Sequence, residues 1–361
     1  MTEERLARIC VSSFPGFGSK TLRMIGEAFS EWQDAWIAPL SAFLKIGVRE
    51  RTASRFVDWR RTFDFSQMVE TLASQSIATL FPDDAEYPSS LRASNDPPEI
   101  LFVRGTLADR PAISVVGTRK MTSYGERCVE SIVTELAQSG FAIVSGLALG
   151  IDGVVHRAAL GVGGTTIAVL GTGIDDATIY PREHCGLAYQ MISHQGAIVS
   201  EFPPGTDSRK EHFPIRNRII AGWSLATVVI EATQKSGSLI TAKLALEDNR
   251  MVLAVPGPIW SAQSIGTNQL IKLGAHVCTS AQDVIDAVAF DRPDLAAKTR
   301  ALLPIDPLEQ SIIDVLDEPQ HVDEIGRATG LDPAAVASHL AVMELKGLAK
   351  PIGGQMWVRG R

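Results

Sequence analysis

The stretch AISVVGTRKMTSYGERCVESIVTELAQSGFAIVSG (residues 112–146) decides the fold. It opens on a short β-branched run, AISVVG, that ends in a glycine turn, and it closes on a second such run, FAIVSG. Between them lies the helix-like YGERCVESIVTELAQS. Runs this short and this continuously apolar read as strands buried on both faces, which requires helices above and below the sheet. The unit recurs in TTIAVLG (165–171), GAIVS (196–200), ATVVIEA (226–232) and MVLAVPG (251–257), with helical stretches such as GSLITAKLALEDN between them. Residues 112–290 are therefore predicted to form an α/β domain, a doubly wound and mainly parallel sheet.

The pattern changes on both sides of that domain. Residues 1–65 read as a small helical domain of SAM or helix-hairpin-helix type. In it FPGFGSKTLRMIGEAF (14–29) turns at Gly16-Phe17-Gly18, and FLKIGVRERTASRF (43–56) repeats the pattern with Lys45 in the place of Gly16. At most one hairpin then keeps the turn that brings backbone N–H groups to a phosphate, and a packing module is the equal alternative. The Pro- and Asp-rich residues 66–111 read as a connector leading into the sheet domain, and 291–302 as a linker. Residues 303–361 have helix-turn-helix spacing, with a helix starting at Pro333 and a hairpin wing in LAKPIGGQMWV, so a winged helix is predicted. Its recognition helix offers only His339 and Lys346 to bases or phosphates, and the segment carries nine acids against five bases. Protein contact is expected of it rather than duplex reading.

Composition narrows the function classes. A net charge of −7 argues against a protein that coats nucleic acid by bulk charge, so any anion site must be local. RKEHFPIRNR (209–218), with four basic residues and one acid, is such a locality. No apolar run approaches the ~20 residues of a membrane span, and MTEERLARIC carries acids where a secretory signal has an apolar core. Four scattered cysteines, Cys10, Cys128, Cys185 and Cys278, read as reduced thiols of a cytoplasmic protein. His184, Cys185 and His194 fit no zinc spacing, and Asp152 with His156 reads as a helix N-cap and a packed neighbour rather than a metal pair.

Ligands of a doubly wound sheet sit at the carboxyl ends of its strands, and here those ends are marked. GTRKMTSYG (117–125) puts Arg119 beside a helix N-terminus, where a guanidinium can pair with a phosphate. Ser145 and Gly146 follow the second strand as small, donor-rich backbone. SEFPPGTDSRKEHFPIRNRIIAG brings Lys210, Phe213, Arg216 and Arg218 to the same edge, Phe213 being either core or a platform for a base. Arg216 and Arg218 point to different helix faces, so one can meet a ligand while the other pairs internally with Glu201 or Glu231. Ser236-Gly237-Ser238 opens a helix as a phosphate cradle, with Lys243 two turns on. No G-x-G-x-x-G follows a strand, no P-loop is present and no acid/base pair announces a hydrolase, which points to a binder without cofactor or metal.

With those loops in view, the sequence resembles the bacterial DNA-processing protein A family (DprA, also called Smf). The similar segments include VVGTRKMTSYG, SGLALGIDGVVHRAAL, TIAVLGTGID, SEFPPG, HFPIRNRIIAG, SGSLITAKLALE and SIGTNQLIKLGA, in order from about residue 87 to 275. The resemblance implies an extended Rossmann-like domain that binds single-stranded DNA in a basic pocket and dimerises through that domain. It also implies protection of incoming strands and loading of the RecA recombinase during natural transformation, with no enzymatic activity. Carried over by motif, Arg119, Lys210 and Phe213 contact the strand, Phe213 by its ring. Two readings compete with this one: a phosphoribohydrolase-like enzyme on a related fold, with Glu231 or Glu247 as acid, and a nucleotide sensor that binds no strand.

Overall fold

A computed structural model describes residues 2–108, 110–291, 307–345 and 348–359. Two compact units divide the chain, Met1–Val288 and Ala289–Arg361. The first begins with six helices, α1 (Glu3–Ser12), α2 (Ser19–Ala28), α3 (Trp32–Ile37), α4 (Leu40–Lys45), α5 (Glu50–Trp59) and α6 (Phe65–Ser74). Phe14, Phe17, Phe43 and Phe56 are buried together at their centre, Phe17 4.8 Å from both Phe14 and Phe56. Burying aromatic rings of this size contributes about 1.5–3 kcal/mol each, enough to hold short helices that would not form alone. Of the two hairpin turns only the second has the left-handed backbone, at Gly47 (φ +90°).

The sheet that follows has nine strands. They are β1 (Ala78–Leu80), β2 (Leu101–Gly105), β3 (Ala112–Val116), β4 (Ala142–Ser145), β5 (Thr166–Val169), β6 (Ala197–Ser200), β7 (Ala226–Val229), β8 (Met251–Ala254) and β9 (His276–Val277), in the spatial order β1-β2-β6-β5-β4-β3-β7-β8-β9. From β3 to β9 all pairings are parallel, whereas β1 and β2 are antiparallel additions. The stretch read as a connector thus supplies two strands and the short α7 (Ser89–Arg92). Arg5 on α1 reaches the same stretch, donating to both Asp84 carboxylate oxygens at 2.8 and 2.7 Å, and its guanidinium holds that carboxyl below the usual range.

The crossover helices are α8 (Ser123–Gln138), α9 (Ile151–Gly161), α10 (Cys185–Ser193), α11 (His212–Trp223), α12 (Gly237–Glu247) and α13 (Ile265–Lys272), with α14 (Ala281–Asp291) after β9. Strand side chains alternate between faces. Ile167, Val169 and Val199 join Ile219, Ile220 and Trp223 of α11 and Ala242 and Ala245 of α12 in one cluster. Ala168, Leu170 and Ile198 join Leu187, Ala188 and Met191 of α10 in another. This double winding makes β3 the place where strand order reverses: β4 lies on one side of it and β7 on the other.

The second unit is a winged helix. It comprises α15 (Pro307–Ile313), β10 (Gln320–His321), α16 (Val322–Thr329), α17 (Pro333–Leu345), β11 (Ala349–Gly353) and β12 (Met356–Arg359), its three strands ordered β10-β12-β11. His321 and Glu324 form a capping box on α16, and Gly330 ends that helix in the left-handed conformation. The helix from Pro333 and the hairpin wing stand where the spacing put them. Lys346 and residues 292–306, which include nearly all of the predicted linker, lie outside the described residues.

Candidate nucleic-acid interface

At the carboxyl ends of β3 and β7, the switch point of the sheet, lies a cavity of about 480 Å³. The loops after β3, β4 and β7, the loop before α11, and helices α9, α11 and α12 line it. The loop after β3 contributes Thr118 and Arg119, the loop after β7 contributes Thr233 and Lys235, and the loop before α11 contributes Lys210. Ser236, Gly237 and Ser238 open α12 onto it, with Ser236 as N-cap. A helix N-terminus with free backbone N–H groups is a ready anion site.

Helix α11 explains the order of residues in HFPIRNR. Pro214 is tolerated in its first turn, where an N–H would lack an intrahelical acceptor. Phe213, Arg216, Asn217 and Ile220 then share one face, at i, i+3, i+4 and i+7, and all four line the cavity. Arg218 falls on the opposite face. There it forms a bidentate pair with Glu201, 2.7 Å on both arms, and its Nε donates to Asp96 at 2.9 Å. Of the two arginines, Arg216 is the one at the cavity and Arg218 holds α11 to neighbouring segments.

Arg216 is nonetheless deeply engaged by the protein. It is 4% exposed, and its Nη1 donates to the carbonyls of Val169 and of Gly146, the latter at 2.8 Å. Burial pushes its pKa down to about 10, opposed by the carboxylate of Asp152, so it stays charged at neutral pH. The two charges approach across Gly146: a Cβ there would stand 2.7 Å from both Arg216 Nη2 and Asp152 Oδ2. Gly146 therefore has no side chain because this pair occupies the space. Ser145, also singled out in the sequence, is fully buried and donates to the Val115 carbonyl at 2.7 Å, tying β4 to β3.

The rim is cationic and aromatic. The Arg119 guanidinium sits 5.2 Å from the centroid of the half-buried Phe213 ring, and the ring of exposed Tyr180 lies 6.0 Å from that of Phe213. Phe213 is thus neither core nor fully free. Glu231 holds the Arg119 loop by accepting from the Thr122 amide at 2.9 Å and from its hydroxyl at 2.6 Å, while its own carbonyl accepts from the Thr118 amide. Lys210 and Lys235 are exposed. Among the described residues lining the cavity, Asp152 is the one carboxylate, and it lies buried under Arg216.

Sequence reading did not single out Lys235, although it directly precedes the quoted SGSLITAKLALE. It chose Lys243, which points away from the cavity and pairs with Glu247 one turn on at 3.6 Å. The lysine next to the strand end lines the cavity, and the one two turns into the helix does not. The α2 N-terminus, the other candidate phosphate site, already faces an anion of the chain: Ser19 Oγ donates to Asp96 at 2.7 Å, and Arg23 of α2 pairs with Glu99.

His156 lies beneath the site, fully buried. Thr166 donates its hydroxyl proton to the Ile143 carbonyl, so His156 Nδ1 must donate to Thr166 Oγ1, 2.7 Å away. Nε2 is then left without a partner among the described residues, and a proton there would have no acceptor. Burial, with neighbouring Arg216 and Arg157 adding to it, drives the ring's pKa from 6.5 down to about 3. The unfolded chain takes up this proton below about pH 6.5 and the folded one does not. Its contribution to stability is full above that pH and falls on acidification, by about 1.4 kcal/mol per pH unit. Urea titrations at pH 7 and pH 5 should show a loss in the wild type that His156→Gln reduces by about 2 kcal/mol.

Comparison with known proteins adds the following. A family model described as DNA recombination-mediator protein A matches residues 78–289, and one described as DprA winged helix domain matches 296–355. Protein Smf of Escherichia coli is 38% identical over 340 residues, covering 90% of each chain. DNA processing protein DprA of Bacillus subtilis is 43% identical over 215 residues, 59% of this chain and 71% of that one. Among solved structures, DNA processing protein A from Streptococcus pneumoniae superposes with a TM-score of 0.67 at 33% identity, over 79% of this chain and 98% of that one. The Helicobacter pylori protein, described for its single-stranded DNA binding mode, gives a TM-score of 0.53 at 30% identity, over 60% of this chain and 96% of that one.

Proposed function

The chain belongs to the DNA recombination-mediator protein A family, and from that premise we propose that the switch-point cavity holds single-stranded DNA. One observation carries this reading: Phe213, flanked by Arg119, stands at the mouth of a cavity rimmed by Lys210 and Lys235 and headed by the α12 N-terminus. Cations take the phosphates and the ring takes a base, whichever base it is. The protein protects incoming strands and helps load RecA during transformation, and it does so without catalysis. A phosphoribohydrolase would need a free carboxylate in the cavity, whereas Glu231 is engaged with Thr122 and Glu247 with Lys243. Absence of free base on incubation with nucleoside monophosphates is the expected result, and its release would overturn the non-catalytic reading.

The experiment that tests the cavity is a salt-titrated binding assay on single-stranded and duplex DNA. Single strands should bind more tightly. Arg119→Ala should weaken that binding about tenfold and reduce the slope of log K against log salt by about one phosphate's worth. Unchanged affinity and slope would remove Arg119 from the interface. Lys210 and Lys235 act in the same way, whereas Arg218 and Lys243 do not touch the strand.

The protein works as a homodimer through the sheet domain and acts in the cytoplasm. Support for the first comes from the open β9 edge, where Val277 is exposed, and from Ile265 and Leu273 at the two ends of α13, both exposed. Support for the second comes from four free cysteines and from the fact that, among the described residues, no helix is long and apolar enough to cross a membrane. The winged helix, acidic and with an apolar α17, meets a protein rather than duplex DNA.

A further inference from the structure

We propose that Trp260 is a second stacking platform for the DNA strand, beyond the cavity that Phe213 guards; this rests on the single-strand reading above. The loop after β8 makes a tight turn, with the Ser261 amide donating to the Pro258 carbonyl at 3.0 Å. Its two central residues are Ile259 and Trp260, 85% and 86% exposed. Such positions ordinarily go to Gly, Asn, Asp or Ser, which solvate well and adopt turn dihedrals. Two large apolar side chains held out into water there call for an occupant.

The turn is not a loose tip. Tyr124 Oη donates to the Pro256 carbonyl at 2.7 Å. Asn268 clasps Gly257 from both sides, accepting from its amide at 3.2 Å and donating to its carbonyl at 3.0 Å. On its return the loop bonds to the loop after β7, with the Ala232 amide donating to the Gln263 carbonyl at 2.7 Å and the Gly266 amide to the Ala232 carbonyl at 2.8 Å. A rigid mount of this kind lowers the entropy lost when a ring stacks on a ligand.

Position identifies the occupant. β7 and β8 are adjacent and parallel, so both loops leave the same edge of the sheet. Ala232 is three residues before Lys235 of the cavity rim, and Trp260 is three residues before Gln263, roughly 10 Å of chain. Residues 251–264 carry no acid, so nothing in this loop repels a phosphate on the way from Lys235 to Trp260. A strand leaving the cavity past Lys235 meets the indole within a few nucleotides. Stacking of a base on an aromatic ring tolerates any sequence.

The test compares two oligothymidylates, one of about six nucleotides that the cavity holds alone and one of about twenty that spans both platforms. Trp260→Ala should leave affinity for the short oligomer unchanged and weaken the long one about five- to a hundredfold, with Trp260→Phe restoring most of it. Arg119→Ala should weaken both lengths. If Trp260→Ala changes neither length while Arg119→Ala weakens both, the platform is wrong and the cavity reading stands. If Arg119→Ala changes neither, both fall. Equal weakening of both lengths by Trp260→Ala would make the residue part of the cavity and overturn the proposal. So would a shift from dimer to monomer in sedimentation, which would assign the turn to a second copy of the chain.

Discussion

Arg216→Met is expected to lower the stability of the fold by about 3–5 kcal/mol, the cost of breaking a buried charge pair from one side. Methionine fills most of the volume but leaves Asp152 buried with its counter-charge gone and the Gly146 and Val169 carbonyls without their shared donor. Burial already raises the Asp152 carboxyl above its usual range against the pull of Arg216, so without that arginine it must take up a proton or draw in water. Denaturant unfolding of the wild type, Arg216→Met, Asp152→Asn and the double variant tests this. The double variant should be more stable than Arg216→Met alone, because it no longer carries an unpaired buried charge. Strict additivity would mean that the two residues do not act as a pair.

Phe213→Ala is expected to weaken single-strand binding by about 1–3 kcal/mol, or roughly five- to a hundred-and-fifty-fold. The ring is the cavity's aromatic surface and also the support of the Arg119 guanidinium, 5.2 Å from its centroid. Removal therefore costs the stacked base and leaves Arg119 free to wander. Two controls separate the effects. Phe213→Ala should leave the salt slope unchanged because the ring neutralises no phosphate, whereas Arg119→Ala should reduce it. Phe213→Tyr should retain most of the affinity. A reduced slope in Phe213→Ala would show that the ring acts chiefly by placing the arginine.

Much of the sheet was legible because its strands are buried on both faces. AISVVG, FAIVSG, TTIAVLG, GAIVS, ATVVIEA and MVLAVPG each contain the strand that their β-branched runs announced, from β3 to β8. The outer strands were not legible. LFVRG of β2 sits in a segment crowded with Pro and Asp, and His276–Val277 of β9 is too short to show a period. Both pair at the margins of the sheet, where the hydrophobic pattern is weakest.

At the site, the sequence by itself determined the chemistry on offer: Arg119, Lys210 and Phe213 at strand ends, a Ser-Gly-Ser helix start and no P-loop or dinucleotide fingerprint. It also showed that Arg216 and Arg218 cannot face the same way, since residues two apart on a helix diverge. Only the tertiary structure decided which one borders the cavity, because the partners lie far along the chain: Gly146 and Asp152 for Arg216, Glu201 and Asp96 for Arg218. The same holds for the placing of Lys235 on the cavity lining, of Lys243 beside Glu247, and of Gly146 between two charged side chains. Helix periodicity is local and can be read along one segment. Which charge meets which depends on strand order, and strand order exists only once the sheet has closed around β3.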